Sequence, residues 1–320
     1  MINRISTILL LAVFAVSCGN GKKAEQFKAL PFPDCAVPGM MTDRQDIAEY
    51  VAGHFWDGIT DPDRDYPSDS LLVSGVRKAD VEQKFADWTS ILEMIPFNQA
   101  EKAVARLYDR AVACERKDTS SNVFETFTDL SYKYLYDPNS PLRNEDCYNA
   151  FVRRLAGYEG ISPEMKKKYE YDARMTSLNR TGTVAADFRF ADKMGRMHTL
   201  HGIKAPLTLL FFSNPGCDAC LNIINVLKGE PQISGLIDSG RLAVLNIYID
   251  EDLQGWRDYM PIYPEEWYNG FDPDLIIRTD NLYNVRAIPS LYLLDEEKRV
   301  ILKDAPENRL FNYLADTARR

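Results

Sequence analysis

From residue 42 to about residue 178 the apolar positions recur every three or four residues, the period of helices with one buried face. "TDRQ" predicts a helix start, with Thr42 as N-cap and Gln45 three residues on as a capping box. Ile47, Tyr50, Val51, His54 and Phe55 then share a face, and "DPDRDYPSD" ends it. Val81, Phe85, Trp88, Leu92 and Ile95 form the stripe of a second helix over 80–95. After Pro96 at its junction, Ala100, Val104, Leu107, Tyr108 and Ala111 mark a third. A fourth runs from about 121 to 136. Past the turn "DPNSPLRNED", Asn144 reads as an N-cap, with Glu145 and Asp146 at the positive end of a fifth helix. Ser162 and Pro163 open a last one.

At "NRTG" the texture changes. "TVAADFRFADKMGRMHTL" alternates and turns as a hairpin does. "PLTLLFF" and "LAVLNIYI" are short apolar runs rich in strand formers, each followed by helix-like sequence. "SLYLLDEEKRVILKD" is a second hairpin with "DEEK" at its turn, and "PENRLFNYLADTARR" closes as a helix. Strands alternating with helices imply an α/β sheet. The expected class is therefore α+β in two domains, an all-helical one over 41–179 and an α/β one over 180–320.

The first residues stand apart from both. "MINRISTILLLAVFAVSC" has a basic start at Arg4, an apolar run from Ile8 to Val16, and Ser17 before Cys18. This is the pattern of an export signal over 1–17. Its apolar run is shorter than the ~20 residues that span a bilayer as a helix. A Cys directly after "AVS" resembles the bacterial lipobox, which implies a lipid on Cys18 and a tether over 18–40; Ala15 stands where that motif usually has leucine. Removing 17 of 320 residues leaves 303, enough for two ordinary domains. Taking Arg4 from 38 basic residues leaves 37 against 47 acidic, a charge of about −10. Such a chain repels phosphate backbones, which argues against nucleic acid as a partner.

Chemistry concentrates at "SNPGCDACLNII", where an apolar strand gives way to a helix. On this reading Cys217 takes the first helical position and Cys220 lies one turn deeper. Backbone N–H groups without helical partners, together with the dipole's positive end, favour an anion there. A thiolate is such an anion, and thiols at helix N-termini titrate at ~3.5–7.5 instead of ~8.5. Cys217 is thus the candidate nucleophile, and Cys220 the thiol that resolves its mixed disulfide.

The strand before this CxxC, together with Pro289 in "AIPSLYLLD" ahead of another strand, resembles the thioredoxin fold over about 180–320. The hairpin before the fold and the long spacer between CxxC and proline are similar to its TlpA-like, membrane-anchored branch. With lipobox and helical domain included, the whole resembles a group of bacterial thioredoxin-like lipoproteins. The resemblance implies Cys217 and Cys220 as the redox pair, Pro289 as a cis-proline and Ile288 as the residue that docks an extended substrate. Gly216 and Asp218 flank the nucleophile as further substrate contacts. It implies protein thiol–disulfide exchange at the bacterial cell envelope, facing the periplasm; the acid Asp218 inside the motif disfavours the thiolate and so the reduced form, which argues for the reducing direction. The partners would be disulfide-containing envelope proteins and a membrane or periplasmic thiol donor. No cofactor is called for.

The departures are specific. Phe211 stands where thioredoxin has a buried acid, Gly216 where it has Trp, Ala219 where it has Pro, and Ile223 where the TlpA-like branch often has Glu. The usual proton acceptor is missing; Asp218 is a candidate substitute, and the reading preferred for it is a solvated side chain that tunes the potential. Other readings compete. His198 and His201 with the two cysteines make a possible zinc set. Copper carriers of this fold space their cysteines by three residues, and a peroxidase would need Ser or Thr at Asn214. A non-catalytic binding module that retains the scaffold is the main alternative. Cys35, Cys114 and Cys147 read as small buried apolar residues. In the acidic, aromatic stretch 250–285, Trp256 falls in a helical segment that packs on the sheet, while Trp267 and Tyr268 fit either packing or a docking rim.

Overall fold

A computed structural model describes residues 28–319 apart from Ser68. The signal segment 1–17 and Cys18 lie outside the described residues. The helical stripes become α1 (Arg44–His54), α2 (Lys78–Leu92), α3 (Phe97–Lys117), α4 (Val123–Ser131), α5 (Glu145–Ala156) and α6 (Pro163–Thr176). A π-helical turn, Tyr132–Tyr136, extends α4. Asn144 caps α5 by accepting from the Cys147 N–H at 3.1 Å, and Ser162 caps α6. The cap of α1 is Asp43, not Thr42. Its carboxylate accepts from the N–H groups of Gln45 and Asp46 at 2.8 and 3.1 Å, and a charged acceptor competes well for free amides at a helix's positive end. Between α1 and α2 lies an unforeseen hairpin of β1 (Leu72–Val73) and β2 (Val76–Arg77). Its turn, Ser74-Gly75, has φ of 45° and 79°, the backbone sense that two-residue hairpins need.

The buried stripes meet in one core. Trp56 sits 4.8 Å from Phe127 and 6.0 Å from Trp88, ring centre to ring centre, both edge-on. Trp88 donates its indole N–H to the Ala52 carbonyl at 2.8 Å, whereas the buried indole N–H of Trp56 has no hydrogen-bond partner among the described residues.

The second half builds a seven-stranded sheet. Along the chain come β3 (Arg189–Asp192), β4 (Met197–Thr199), β5 (Leu207–Phe212), α7 (Asp218–Gly229), α8 (Pro231–Asp238), β6 (Leu242–Tyr248), α9 (Leu253–Tyr259), β7 (Tyr268–Phe271), α10 (Ile276–Thr279), β8 (Ser290–Leu294), β9 (Val300–Leu302) and α11 (Glu307–Ala318). The strand order is β4-β3-β7-β6-β5-β8-β9, with β5, β6 and β7 parallel and the other pairs antiparallel. Every residue of β5 is buried, because both faces are covered; this is why it reads as a nearly continuous apolar run, broken by Thr208 alone. Leu209 and Phe211 face a core shared with α7, α8, α9 and α11, while Leu210 and Phe212 face one shared with Ala185, Phe190, Leu200 and Tyr283. The class is thus α+β, as the two textures of the sequence implied. β7, which the insertion adds between β6 and β3, was not foreseen. No helix among the described residues is long and apolar enough to cross a membrane.

Candidate active site

The strand-to-helix junction is held by short-range bonds. Ser213 continues β5 by donating its N–H to the Ile247 carbonyl at 3.2 Å, and Asn214 donates its side-chain amide to Asp250 at 2.7 Å. Gly216 follows with φ of +71°, a backbone conformation that the bulky Trp of thioredoxin would strain. Cys217 is the N-cap of α7, one position earlier than the sequence suggested, so Asp218 is the first helical residue. The capping geometry explains the difference: the Cys217 sulfur accepts from the Cys220 N–H at 3.1 Å, as a capping oxygen would.

The pair is joined as a disulfide, Cα to Cα 5.2 Å. Cys217 is half-buried, Asp218 and Ala219 are exposed, and Cys220 is 2% exposed. One sulfur faces solvent at the positive end of a helix, and the other lies beneath it. Upon reduction, an anion on Cys217 would keep the Cys220 amide and the helix dipole as partners.

The Ile288–Pro289 peptide is cis. In the antiparallel β5–β8 register Phe212 pairs with Ser290, which places Pro289 beside Ser213, at the strand end that opens into the cysteine loop. Ile288 is half-buried and packs on the same core as Cys217. Cys217, Cys220, Ile288 and Pro289 therefore share one end of the sheet.

The histidines are elsewhere. His198 lies 3.3 Å from Asp192 and stacks on Phe190, and His201 lies 2.9 Å from the Ala185 carbonyl. No cluster of metal-ligating side chains occurs among the described residues. Cys114 and Cys147 are buried in the helical core, where burial pushes the Cys147 thiol up to about 12. Cys35 is half-buried, and burial raises its thiol too. Trp256 and Trp267 are buried under the sheet. Tyr268 is 40% exposed and lines an open cavity of about 400 Å³ with Met260, Tyr263 and Phe190.

Beneath the junction runs a buried polar chain that the sequence reading passed over. Ser213 donates its hydroxyl to Asn246, Asn246 donates to Asn269 at 3.1 Å, and Asn269 donates to the Pro264 carbonyl at 2.7 Å. The Tyr263 hydroxyl lies 3.4 Å from Ser213, and burial pushes it up, so it stays protonated. The visible signal was the single Asn inside "LAVLNIYI". Asn246 pairs with Phe211 in register, so the polar group next to the missing acid's position is a neutral amide on the adjacent strand.

Residues 15–179 match a family described as a domain of unknown function, DUF5106. No curated protein matches the sequence. A crystal structure of a thioredoxin-like protein from Bacteroides caccae is 36% identical, with a TM-score of 0.74, covering 90% of this chain and 98% of that one. The C-terminal domain of an uncharacterized protein from Bacteroides fragilis is 46% identical over 43% of this chain and 98% of its own, with a TM-score of 0.42. The thioredoxin domain of a thiol-disulfide oxidoreductase from Bacteroides vulgatus is 20% identical over 43% of this chain and 98% of its own, with a TM-score of 0.38.

Proposed function

Because this chain belongs to the DUF5106 family and to the thioredoxin-like proteins, we propose that it is an envelope lipoprotein that catalyses protein thiol–disulfide exchange through Cys217 and Cys220, as a reductant. The observation that carries the reading is the asymmetry of the pair: a half-buried sulfur at the N-cap of α7, receiving the Cys220 N–H, over a partner sulfur 2% exposed.

In the reduced pair the Cys217 thiolate attacks one sulfur of a substrate disulfide. A mixed disulfide forms, and the other substrate sulfur leaves as a thiolate that takes a proton. Cys220 gives up its proton and attacks the Cys217 sulfur, which closes the 217–220 bond and frees the second substrate thiol. The substrate gains two electrons and the pair loses them; a donor thiol of the membrane or periplasm restores the pair. Ile288 and Pro289 seat the extended substrate beside Cys217, and Gly216 leaves the approach uncluttered. The exposed Asp218 carboxylate, next in sequence, opposes the thiolate and so the reduced form, which points toward reduction of partners. A lipid on Cys18 would hold the protein at the envelope, facing the periplasm.

The test is turnover by the soluble chain from Lys22. It should reduce insulin and glutathione disulfide, Cys217→Ser should abolish this, and the pair's potential should lie nearer ~−270 mV than ~−120 mV. No turnover, with no difference between wild type and Cys217→Ser, would leave a binding module instead. A potential near ~−120 mV would reverse the direction.

A further inference from the structure

Between the helical core and the sheet lies a cluster of charges outside the cysteine pair. Glu145, the first residue of α5, has a side chain shielded completely from solvent. Arg286 Nε lies 2.9 Å from one carboxylate oxygen and Lys303 Nζ 3.0 Å from the other, while Asn284 donates at 2.6 Å. Lys303 also donates to the Thr176 carbonyl at 2.6 Å. Arg286 reaches Asp304 with its other arm at 2.7 Å, and Ser290 donates to the same carboxylate at 2.7 Å. The Arg286 guanidinium lies 4.1 Å from the ring centre of Tyr136, itself stacked on Tyr148. Burial raises the Glu145 carboxyl, and Lys303 and Arg286 oppose that shift.

The positions of these partners matter more than their number. Asn284, Arg286 and Ser290 bracket Ile288–Pro289, and residues 284–289 belong to no strand or helix. Ladder hydrogen bonds therefore do not set this segment's path. A buried carboxylate needs counter-charge and donors close by, and this one, which belongs to the helical half, takes an ion pair from Arg286 and a hydrogen bond from Asn284, both in the segment beside the cysteine loop.

We propose that Glu145 is a positioning residue of the exchange site: through Arg286 and Asn284 it sets the loop that seats a substrate chain against Cys217. The helical half is then a structural part of the redox site. This rests on the exchange reading above.

A protein disulfide needs both the loop and the thiol, whereas a small disulfide needs the thiol alone. The experiment uses the chain from Lys22 in a Cys35→Ser background, as wild type, Glu145→Gln and Asn284→Ala. Reduction of insulin with dithiothreitol as donor is measured beside the single-turnover reaction with 5,5′-dithiobis(2-nitrobenzoate), and amide exchange is followed over 284–290. Insulin kcat/KM should fall about tenfold in Glu145→Gln, well short of the ~100-fold that an ångström of misplacement can cost. It should fall about threefold in Asn284→Ala, which removes one neutral partner and leaves both ion pairs. The small disulfide should react within about twofold of wild type, and the loop should exchange faster while α7 does not. Unchanged insulin reduction, or equal losses on both disulfides, overturns the proposal. If Glu145→Gln does not fold, Asn284→Ala decides by the same criteria. A wild type inert toward both disulfides would refute the exchange reading, and with it the role given to Glu145; unchanged loop exchange in the variants would refute the positioning on its own.

Discussion

Cys217 should do nearly all of the attacking, and the structure says by how much. Compare Cys220→Ser, which keeps only the outer thiol, with Cys217→Ser, which keeps only the inner one. An amide donating to an anionic sulfur contributes ~1.5–3 kcal/mol, and the helix terminus ~0.3–1 kcal/mol. Asp218, exposed in the first turn, takes back ~1 kcal/mol through water. The net ~1–3 kcal/mol multiplies the thiolate population about 5- to 150-fold, but a more stable thiolate is a weaker nucleophile, with β of ~0.4–0.5. Roughly half of the logarithm survives, which is about 2- to 12-fold in rate. Burial counts for more. Cys220 is 2% exposed, and a local opening of only ~3 kcal/mol slows it a further ~150-fold. Occlusion thus outweighs electrostatics, and the combined ratio should exceed about 100. The assay is stopped-flow reaction with 5,5′-dithiobis(2-nitrobenzoate) in a Cys35→Ser background, since Cys35 is half-buried. In cells, Cys220→Ser should collect mixed disulfides as reductant-sensitive bands on a non-reducing gel, and Cys217→Ser almost none. Rates within threefold of each other would refute the argument, because neither the helix end nor the burial would then polarise the pair.

Asp57→Asn should cost about 1 kcal/mol at pH 7, a low figure because the side chain is 34% exposed. Burial would raise the Asp57 carboxyl, but hydrogen bonds from Arg106 and His54 hold it below its ordinary value; its contribution is therefore present above the ordinary carboxylate range and lost as pH falls through the native value. The gap between the urea midpoints of the two proteins should be full at pH 7 and shrink as the solution is acidified below the ordinary carboxylate range, and a gap independent of pH would contradict the ionic account. Cys18→Ser should move the protein from the membrane fraction to the soluble one, and equal partitioning of wild type and variant would remove the lipid anchor from the proposed function.

The parts of the fold that could be read from sequence are those whose cause is local. The stripe Val81–Phe85–Trp88–Leu92 is buried as its period demanded, and the caps Asn144 and Ser162 act on amides three residues away. β5 and β8 were legible because burial on both faces leaves a nearly continuous apolar run. β7 was not: Tyr268–Phe271 has one exposed residue, two buried ones, Asn269 and Gly270, and a half-buried Phe271, and a strand of that length shows no period until neighbouring strands select it. Cys217 was placed one residue too deep, because sulfur is not a usual capping acceptor and the pattern alone does not separate N-cap from first turn.

Glu145 shows where such reading must stop. By position it is a carboxylate in the first turn of a helix, and the macrodipole accounts for it without any further partner. That account would leave the side chain in water. The structure instead buries it against Arg286 and Lys303, groups far along the chain with no periodic relation to it. The dipole offers ~0.3–1 kcal/mol, far below the several kcal/mol that desolvating a carboxylate costs, so the helix end alone does not hold it there. The counter-charges must be in place for the burial to be tolerable, and one of them, Arg286, lies on the loop that carries Ile288 and Pro289. The same comparison of magnitudes separates the two carboxylates in the first turns of α5 and α7. Asp218 stays exposed beside Cys217 and needs no partner, and Glu145 ties the helical half to the site.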